Sequence, residues 1–317
     1  MSTNGHTDQP SKTPGICERL WGGVFLVITA VLIATLYSYA VLYLLLSAHL
    51  LSLMILIFLL VFIFFMLMWS YKVTHSTPTL PIPQRFEFTP VEWAFLESRA
   101  FLSEDTRYEL CAWATARGIR TRGYNGQVNI CRTCRIMKPE RTHHCRICRK
   151  CIPKMDHHCP FFGNCIHFGN FKAFLLTLFY ATLGFLYIIV ATAVCTVSVG
   201  AEKAFQTLNE DVVGLVAYIA LLIFSVMAEL SLGAFFWTSF RHAMHNHTTL
   251  EHIGGSVIFA SGSKESYDLG SFCKNMKNQF GPSIAAWFIP KSTTPGDGVT
   301  FPVRSQIEEL TEVRPAM

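Results

Sequence analysis

Four long uncharged or nearly uncharged blocks, with a dense run of cysteine and histidine between the second and third, predict the fold class. It is an α-helical integral membrane protein with four transmembrane helices. A zinc-binding, cysteine-rich cytosolic domain of short β-hairpins lies between helices two and three. Residues 21–46, 50–69 and 173–201 carry no charge, and residues 212–240 carry only Glu229. A hydrocarbon core about 30 Å thick needs about 20 apolar residues in a helix, and all four blocks are long enough. In lipid only a closed backbone hydrogen-bonding pattern survives, so each block is read as a helix.

Composition agrees. Of 317 residues, 51% are hydrophobic and only 15% charged, with a mean hydropathy of +0.35. Four such blocks in a chain of this length argue against buried helices of a soluble core. The first block exceeds a signal-peptide core and shows no small-residue cleavage site, so it is expected to stay as an anchor. Basic residues set the orientation. Sixteen Lys and Arg fall in residues 70–172 and seven from Arg241 onward, whereas residues 202–211 hold one Lys and three acids. The large loop and both termini are therefore expected in the cytosol. The net charge of +5 fits a bilayer-facing surface and anionic phosphate ligands better than nucleic acid.

The expected order is a disordered N-terminus (1–20), transmembrane helices one and two (21–69) and a cytosolic linker with short helices (70–130). The zinc domain (131–170), helix three (171–201), a lumenal loop (202–211) and helix four (212–240) follow. The chain closes with a cytosolic tail (241–290) and a flexible end (291–317). The proline-rich stretch 77–83 is extended. Thr89-Pro90-Val91-Glu92 reads as a capping box opening a helix that runs to about Phe101. A second helix spans 104–116 and stops at Gly118, and Asn125-Gly126 marks a tight turn. Cys17 lies just before the first block and reads as a lipidation candidate or an ordinary thiol. Cys111, Cys195 and Cys273 read as ordinary thiols.

The cluster runs C131-x2-C134-x9-H144-C145-x2-C148-x2-C151-x4-D156-H157-H158-C159-x5-C165. Repeated C-x2-C pairs with interleaved histidine, on the reducing side of a membrane, indicate zinc rather than disulfides. Two tetrahedral sites need eight ligands. The segment offers seven cysteines together with His143, His144, His157, His158 and His167. One assignment gives Cys131, Cys134, His144 and Cys151 to the first ion. Cys145, Cys148, His158 and Cys165 then hold the second. Spacing permits this interleaving without fixing it.

The assignment leaves Cys159 and His157 without metal, directly after Asp156. A thiol two residues from an imidazole that an acid can orient is the arrangement nucleophilic thiol chemistry needs. The alternative is that Cys159 is one more zinc ligand.

The stretch resembles the cysteine-rich domain of the DHHC family of protein S-acyltransferases (palmitoyltransferases). The likeness includes Asp156-His157-His158-Cys159 itself, the four-helix layout and Thr248-Thr249-Leu250-Glu251, which matches the family's TTxE motif. Tyr267 and Asn275-x4-Phe280-Gly281 match its C-terminal motif. Two positions depart: Thr77-Pro78-Thr79 stands where the family often has Asp-Pro-Gly, and Phe161 replaces the Trp common after Cys-Pro.

The resemblance implies a two-step transfer from palmitoyl-CoA or another long-chain acyl-CoA to protein cysteines near the cytosolic membrane face. Cys159 would be the nucleophile, His157 the base and Asp156 its orienter, with two structural zinc ions. Thr249 would lie near that acid and Asn275 would serve structurally. Lys154, Phe161, Lys172 and Thr249 are the residues expected about the acyl-CoA site, with Arg149 and Lys150 as further phosphate partners. Ala181 and Gly184 either leave room for an acyl chain or allow close helix packing, and packing is the preferred reading. Glu229, mid-membrane, is read as a packing hydrogen bond. Membrane lipids are the remaining partner, and Golgi or endoplasmic reticulum the expected compartment, with plasma membrane as another. The competing readings are an inactive zinc adaptor of the same fold, a membrane RING ligase, whose ligand spacing differs, and a zinc transporter, whose ligands would lie inside the helices.

Overall fold

The structure, a computed structural model, describes residues 50–98, 104–123, 125–199, 212–254, 257–260 and 265–306. The first apolar block, Cys17 and the loop 202–211 lie outside the described residues. Three long helices dominate: α1 (Leu50–Ser76), α4 (Phe171–Val199) and α5 (Val212–Met244). Each contains a stretch long and apolar enough to cross a membrane. Helix α4 packs against both α1 and α5.

The helices outrun the apolar blocks. Helix α1 continues past Trp69 to Ser76, about 10 Å further, and α5 continues past Phe240 to Met244. Polar side chains are accommodated there by bonding back along the helix. Ser70 Oγ donates to Met66 O and Thr74 Oγ1 to Ser70 O, and Thr77 Oγ1 donates to Val73 O just before Pro78.

Between α1 and α4 lie two short helices, α2 (Pro90–Ser98) and α3 (Glu104–Ala116), and then small strands. The capping box forms: Thr89 N–H donates to Glu92 Oε2 (2.8 Å) and Glu92 N–H to Thr89 Oγ1 (3.2 Å). Helix α2 is described to Ser98, and the expected end near Phe101 lies outside the described residues. Gly118, at φ +72°, ends α3. Phe86, Phe88, Leu96, Leu110, Ala114 and Met137 form the core of this unit.

Strands β2 (Ile130–Cys131) and β3 (Ile136–Met137), β4 (His143–Cys145) and β5 (Lys150–Ile152), and β6 (His157–Cys159) and β7 (Asn164–Ile166) form three antiparallel hairpins. Strand β1 (Thr121–Arg122) pairs instead with β8 (Ile258–Phe259), which follows the short helix α6 (Thr249–Gly254). Helix α7 (Phe272–Phe280) packs against α5. A cluster of Cys159, Phe162, Ile166, Phe174, Leu178, Ala243, Met276 and Phe280 joins the last hairpin to α4, α5 and α7.

The expectation of a flexible end from residue 291 is corrected. Val299, Phe301 and Val303 are buried, and Phe301 and Val303 pack with Phe168, Phe259 and Tyr267. Gly298 closes against Leu80 and Phe168, where a Cβ would come within 2.9 Å of Leu80 Cδ1. Arg120 ties the strap down by donating to Phe301 O (2.7 Å). Residues 307–317 lie outside the described residues.

Truncation after Pro290 should therefore lower the thermal midpoint of the purified protein. Phe301→Ala alone should remove about 3 kcal/mol, the usual effect of deleting a buried phenyl ring. A freely mobile tail would leave the midpoint unchanged.

Candidate active site and metal centres

Each hairpin is a metal knuckle. After Cys134 and after Cys148 the chain turns through left-handed residues, Arg135 (φ 52°) and Arg149 (φ 54°). That turn aims the Cys134 and Cys148 N–H groups at Cys131 Sγ and Cys145 Sγ, 3.4 Å in each case. Cys131, Cys134, His144 and Cys151 converge as one quartet and Cys145, Cys148, His158 and Cys165 as another, all ligand atoms of each within 4.8 Å of one another.

The sulfurs of the first quartet lie 3.4, 3.3 and 3.8 Å from His144 Nδ1. In the second they lie 3.7, 3.5 and 3.5 Å from His158 Nδ1. Zinc in a tetrahedron of S and N ligands spaces them by about 3.5–3.8 Å. Both donor sets fit zinc, and they are the two sets drawn from the spacing. Strand β4 feeds both, with His144 in the first and Cys145 in the second. His167 joins neither: its Nδ1 accepts the Gly169 N–H (3.1 Å).

Strand alternation then separates the functions on β6. His158 points to the metal quartet, so His157 and Cys159 share the opposite face. His157 Nδ1 donates to Asp156 Oδ2 at 2.7 Å. This fixes the tautomer and leaves Nε2 for Cys159. Asp156 is only 3% exposed. Burial would raise its pKa, but hydrogen bonds from His157 and Thr249 outweigh that and hold it below the usual carboxylate range. Burial would lower His157, yet its bonds to Asp156 and Cys159 carry it up to about 9.

The acid's other partners arrive from beyond α5. Thr249 N–H donates to Asp156 Oδ1 and Thr249 Oγ1 to Oδ2, both at 2.8 Å. Thr248 and Glu251 form a capping box for α6, with Thr248 N–H on Glu251 Oε2 (2.9 Å) and Glu251 N–H on Thr248 Oγ1 (3.2 Å). That leaves the next N–H, of Thr249, free for the acid. Glu251 also takes both arms of Arg141 at 2.7 Å.

Cys159 opens onto a cavity of about 550 Å³ that runs down between α1, α4 and α5. Its walls are nearly all apolar, among them Leu60, Ile63, Phe162, Phe174, Leu178, Phe185, Phe224 and Leu232. Ala181 and Gly184 line it too.

The DHHC palmitoyltransferase family model matches residues 124–256. Palmitoyltransferase ZDHHC2 of Rattus norvegicus is 30% identical over 298 residues, covering 92% of this chain and 80% of that protein. Palmitoyltransferase ZDHHC15 of Xenopus laevis is 31% identical over 301 residues, covering 92% and 85%. The chain belongs to the DHHC palmitoyltransferase family. Its match to rat palmitoyltransferase ZDHHC15 is shorter, 33% identical over 190 residues, 60% of this chain. It spans about half, 55%, of that relative's length.

Several residues expected about acyl-CoA in this DHHC-family chain stand elsewhere. Lys154 is buried, its Nζ donating to Gln279 Oε1 (3.4 Å), and burial first, then Arg141, pushes its pKa down to about 7. Lys172 is buried with Nζ donating to Ala286 O, Lys291 O and Thr293 Oγ1. Neither ammonium faces solvent, so neither meets a phosphate in this arrangement. Thr249 holds Asp156 rather than a co-substrate. Phe161 does line the cavity and is 62% exposed, whereas Arg149 and Lys150 sit exposed on the β4–β5 turn. Asn275 bonds Met244 O, Asp268 and the Leu269 N–H. Glu229 Oε2 is buried without a hydrogen-bond partner, against the expectation of a packing bond.

Two residues escaped the sequence reading. Arg141 bridges the metal module to Glu251 and Asn246, and its left-handed φ of 60° was not readable. Asn164 donates to Thr74 O, His75 O and Thr77 O at the end of α1; its place beside Cys165 was the one available signal.

The two quartets give a direct prediction. Cys159→Ser should keep two zinc ions per chain by elemental analysis, whereas Cys165→Ser and His144→Ala should each lose about one. Loss of zinc from Cys159→Ser would place Cys159 among the ligands.

Proposed function

We propose that this chain is a protein-cysteine S-acyltransferase that moves a long-chain acyl group from acyl-CoA to protein thiols at the cytosolic membrane face, through a thioester on Cys159. The observation that carries the reading is that Cys159 stands outside both metal quartets, shares a strand face with His157 and opens into an apolar cavity.

In the first step His157 takes the Cys159 proton. The thiolate attacks the acyl-CoA carbonyl carbon, the C–S bond to CoA breaks, and the CoA thiolate leaves with the proton from His157. In the second step a substrate cysteine gives its proton to His157 and attacks the new thioester, and Cys159 leaves and is reprotonated. Exchange of one thioester for another is nearly thermoneutral, so splitting the transfer loses little free energy. Asp156 keeps the imidazole in the working tautomer, and Thr249 keeps Asp156 ionised and fixed. Zinc ions would be held by the two quartets and would supply rigidity.

The cavity suits a fatty acyl chain, whose burial contributes about 0.8 kcal/mol per methylene. With Lys154 and Lys172 occupied, CoA phosphates have a better partner in a polar cleft of about 270 Å³ walled by Arg122, Lys138 and His143 beside Leu250 and Glu251 of α6. The substrates are cysteines close to the membrane surface, where the cavity mouth lies.

Zinc-loaded wild type incubated with labelled palmitoyl-CoA should become labelled, and neutral hydroxylamine should release the label. Cys159→Ser should take up none. An unlabelled wild type with two zincs would leave an adaptor of the same fold. Thr249→Ala removes one charge-assisted hydrogen bond from Asp156 and should slow acylation about tenfold with zinc unchanged.

The cavity wall gives a second test. A Cβ on Gly184 would meet Ile63 at ordinary contact distance, 3.5 Å, so a larger side chain fits only by filling the cavity. Gly184→Leu should shift preference toward shorter acyl-CoAs in a competition between chains of 14, 16 and 18 carbons. An unchanged profile would mean that the chain lies elsewhere.

A further inference from the structure

Helix α7 ends at Gly281, whose φ of +91° and contact with Thr293 O leave no space for a Cβ. Pro282 bars its continuation. The chain then runs through a single 3₁₀ turn, Ala285–Phe288, beside α4. Along this stretch Ile284, Phe288 and Ile289 are 58%, 52% and 41% exposed. Lys274, Lys277 and Lys291 are exposed around them.

Four carbonyls in and beside this irregular segment accept hydrogen bonds from side chains. Lys172 Nζ donates to Ala286 O (2.5 Å) and Lys291 O (3.2 Å), and Tyr180 Oη donates to Phe288 O (2.8 Å). Trp287 Nε1 donates to Gly281 O (2.8 Å). Tyr180 lies nine residues, about 13 Å, along α4 from its first residue, Phe171. Tyr180 lies within Phe171–Val194, the stretch of α4 that is long and apolar enough to cross a membrane. Tyr180, and Phe288 bonded to it, therefore sit at or inside the core boundary. Irregular backbone at that depth requires its carbonyls to be met by protein, as those of Ala286 and Phe288 are.

We propose that residues 284–289 form a membrane anchor. Ile284, Phe288 and Ile289 insert among the acyl chains of the leaflet nearest the metal-binding hairpins, with the three lysines at the phosphate level. The occupant of this face is lipid because the face continues the membrane-spanning helices. The Phe288 ring lies 6.2 Å from Phe179 of α4, and the Phe272 ring 6.4 Å from Phe240 of α5. Trp237, 58% exposed on α5, and half-buried Trp287 supply the aromatics typical of a bilayer interface. The anchor fixes α7, whose Met276 and Phe280 pack in the cluster that contains Cys159. The proposal stands whether or not Cys159 is a nucleophile.

The test uses the full-length, zinc-loaded protein in phosphatidylcholine–phosphatidylserine bilayer discs. The photo-crosslinker p-benzoylphenylalanine replaces Ile284, Phe288 or Ile289 in turn, all exposed positions. Leu230, exposed on α5, serves as the lipid-facing reference, and Ile147, exposed on the β4–β5 turn, as the aqueous one. After irradiation, lipid adducts by mass spectrometry are expected at 284, 288 and 289 as at 230, and not at 147. Adducts at 230 alone, or crosslinks from 284, 288 and 289 to a second copy of the chain, would overturn the anchor.

Discussion

Everything at this site depends on the alternation of one three-residue strand. In β6 the middle residue, His158, faces a metal quartet, and a strand's period of two sends its neighbours to the other side. His157 and Cys159 are thus placed beside each other by the same backbone that a metal in the quartet would hold rigid. A shift of one residue in the pairing of β6 with β7 would exchange the two roles. Cys165 prevents it, because it pairs with His158 across the hairpin and belongs to the same quartet. Ile136, Ile152 and Ile166 are buried within the hairpins, and metal ions held by the quartets would add to the folding free energy that register control needs.

The acid poses a different problem. A carboxylate as buried as Asp156 would normally become neutral, and a neutral acid would not hold the imidazole as its partner. The hydrogen bond from His157, and after it two from Thr249, 93 residues away in sequence, prevent this. Thr249 is positioned by the capping box of α6, and Glu251 of that box is clamped by Arg141, stacked on the Tyr267 ring at 4.6 Å. Tyr267 donates to Glu140, which pairs with Arg120. Removing one partner of a buried ion pair strands the other, so the contacts of Arg141 and Glu140 hold together as a unit. The Asp156–His157 pair is therefore assembled only when the segments before α4 and after α5 have closed on one another.

Much of this was legible in the sequence. Metal ligands obey local spacing rules, so the two quartets could be drawn, and the capping box at Thr89 and the stop at Gly118 follow from local chemistry. Burial is not local. Lys154 and Lys172 looked like phosphate partners because a basic residue near a nucleophile is normally solvated. Only tertiary packing shows that Lys172 caps carbonyls of residues 286 and 291. The strap at 299–303 lies in a stretch of Gly, Pro and Thr that resembles a linker, and the alternation of Val299, Phe301 and Val303 is only five residues long and broken by Pro302. Ala181 and Gly184 line the cavity although packing is the preferred reading of the sequence, because the outcome depends on which helix faces them. The first apolar block lies outside the described residues, so the structure bears on three of the four expected spans.

The depth of Cys159 is set by helix α1 rather than by the loop that carries it. The last carbonyls of any helix lack internal partners. Here Asn164 donates to Thr74 O, His75 O and Thr77 O, and Asn170 donates to Thr74 O. In return Tyr71 Oη donates to Phe161 O, and His75 Nδ1 lies 2.7 Å from Phe162 O. The turn after Cys159 is thus tied to the final two turns of α1, each bond adding about 1 kcal/mol net. Because α1 overruns its apolar block by about 10 Å, the attachment point clears the hydrocarbon and yet remains rigidly connected to it. A flexible tether would let Cys159 range over many heights above the bilayer. A helix end capped by side chains of the same hairpin allows one height, at the mouth of the cavity between α1, α4 and α5.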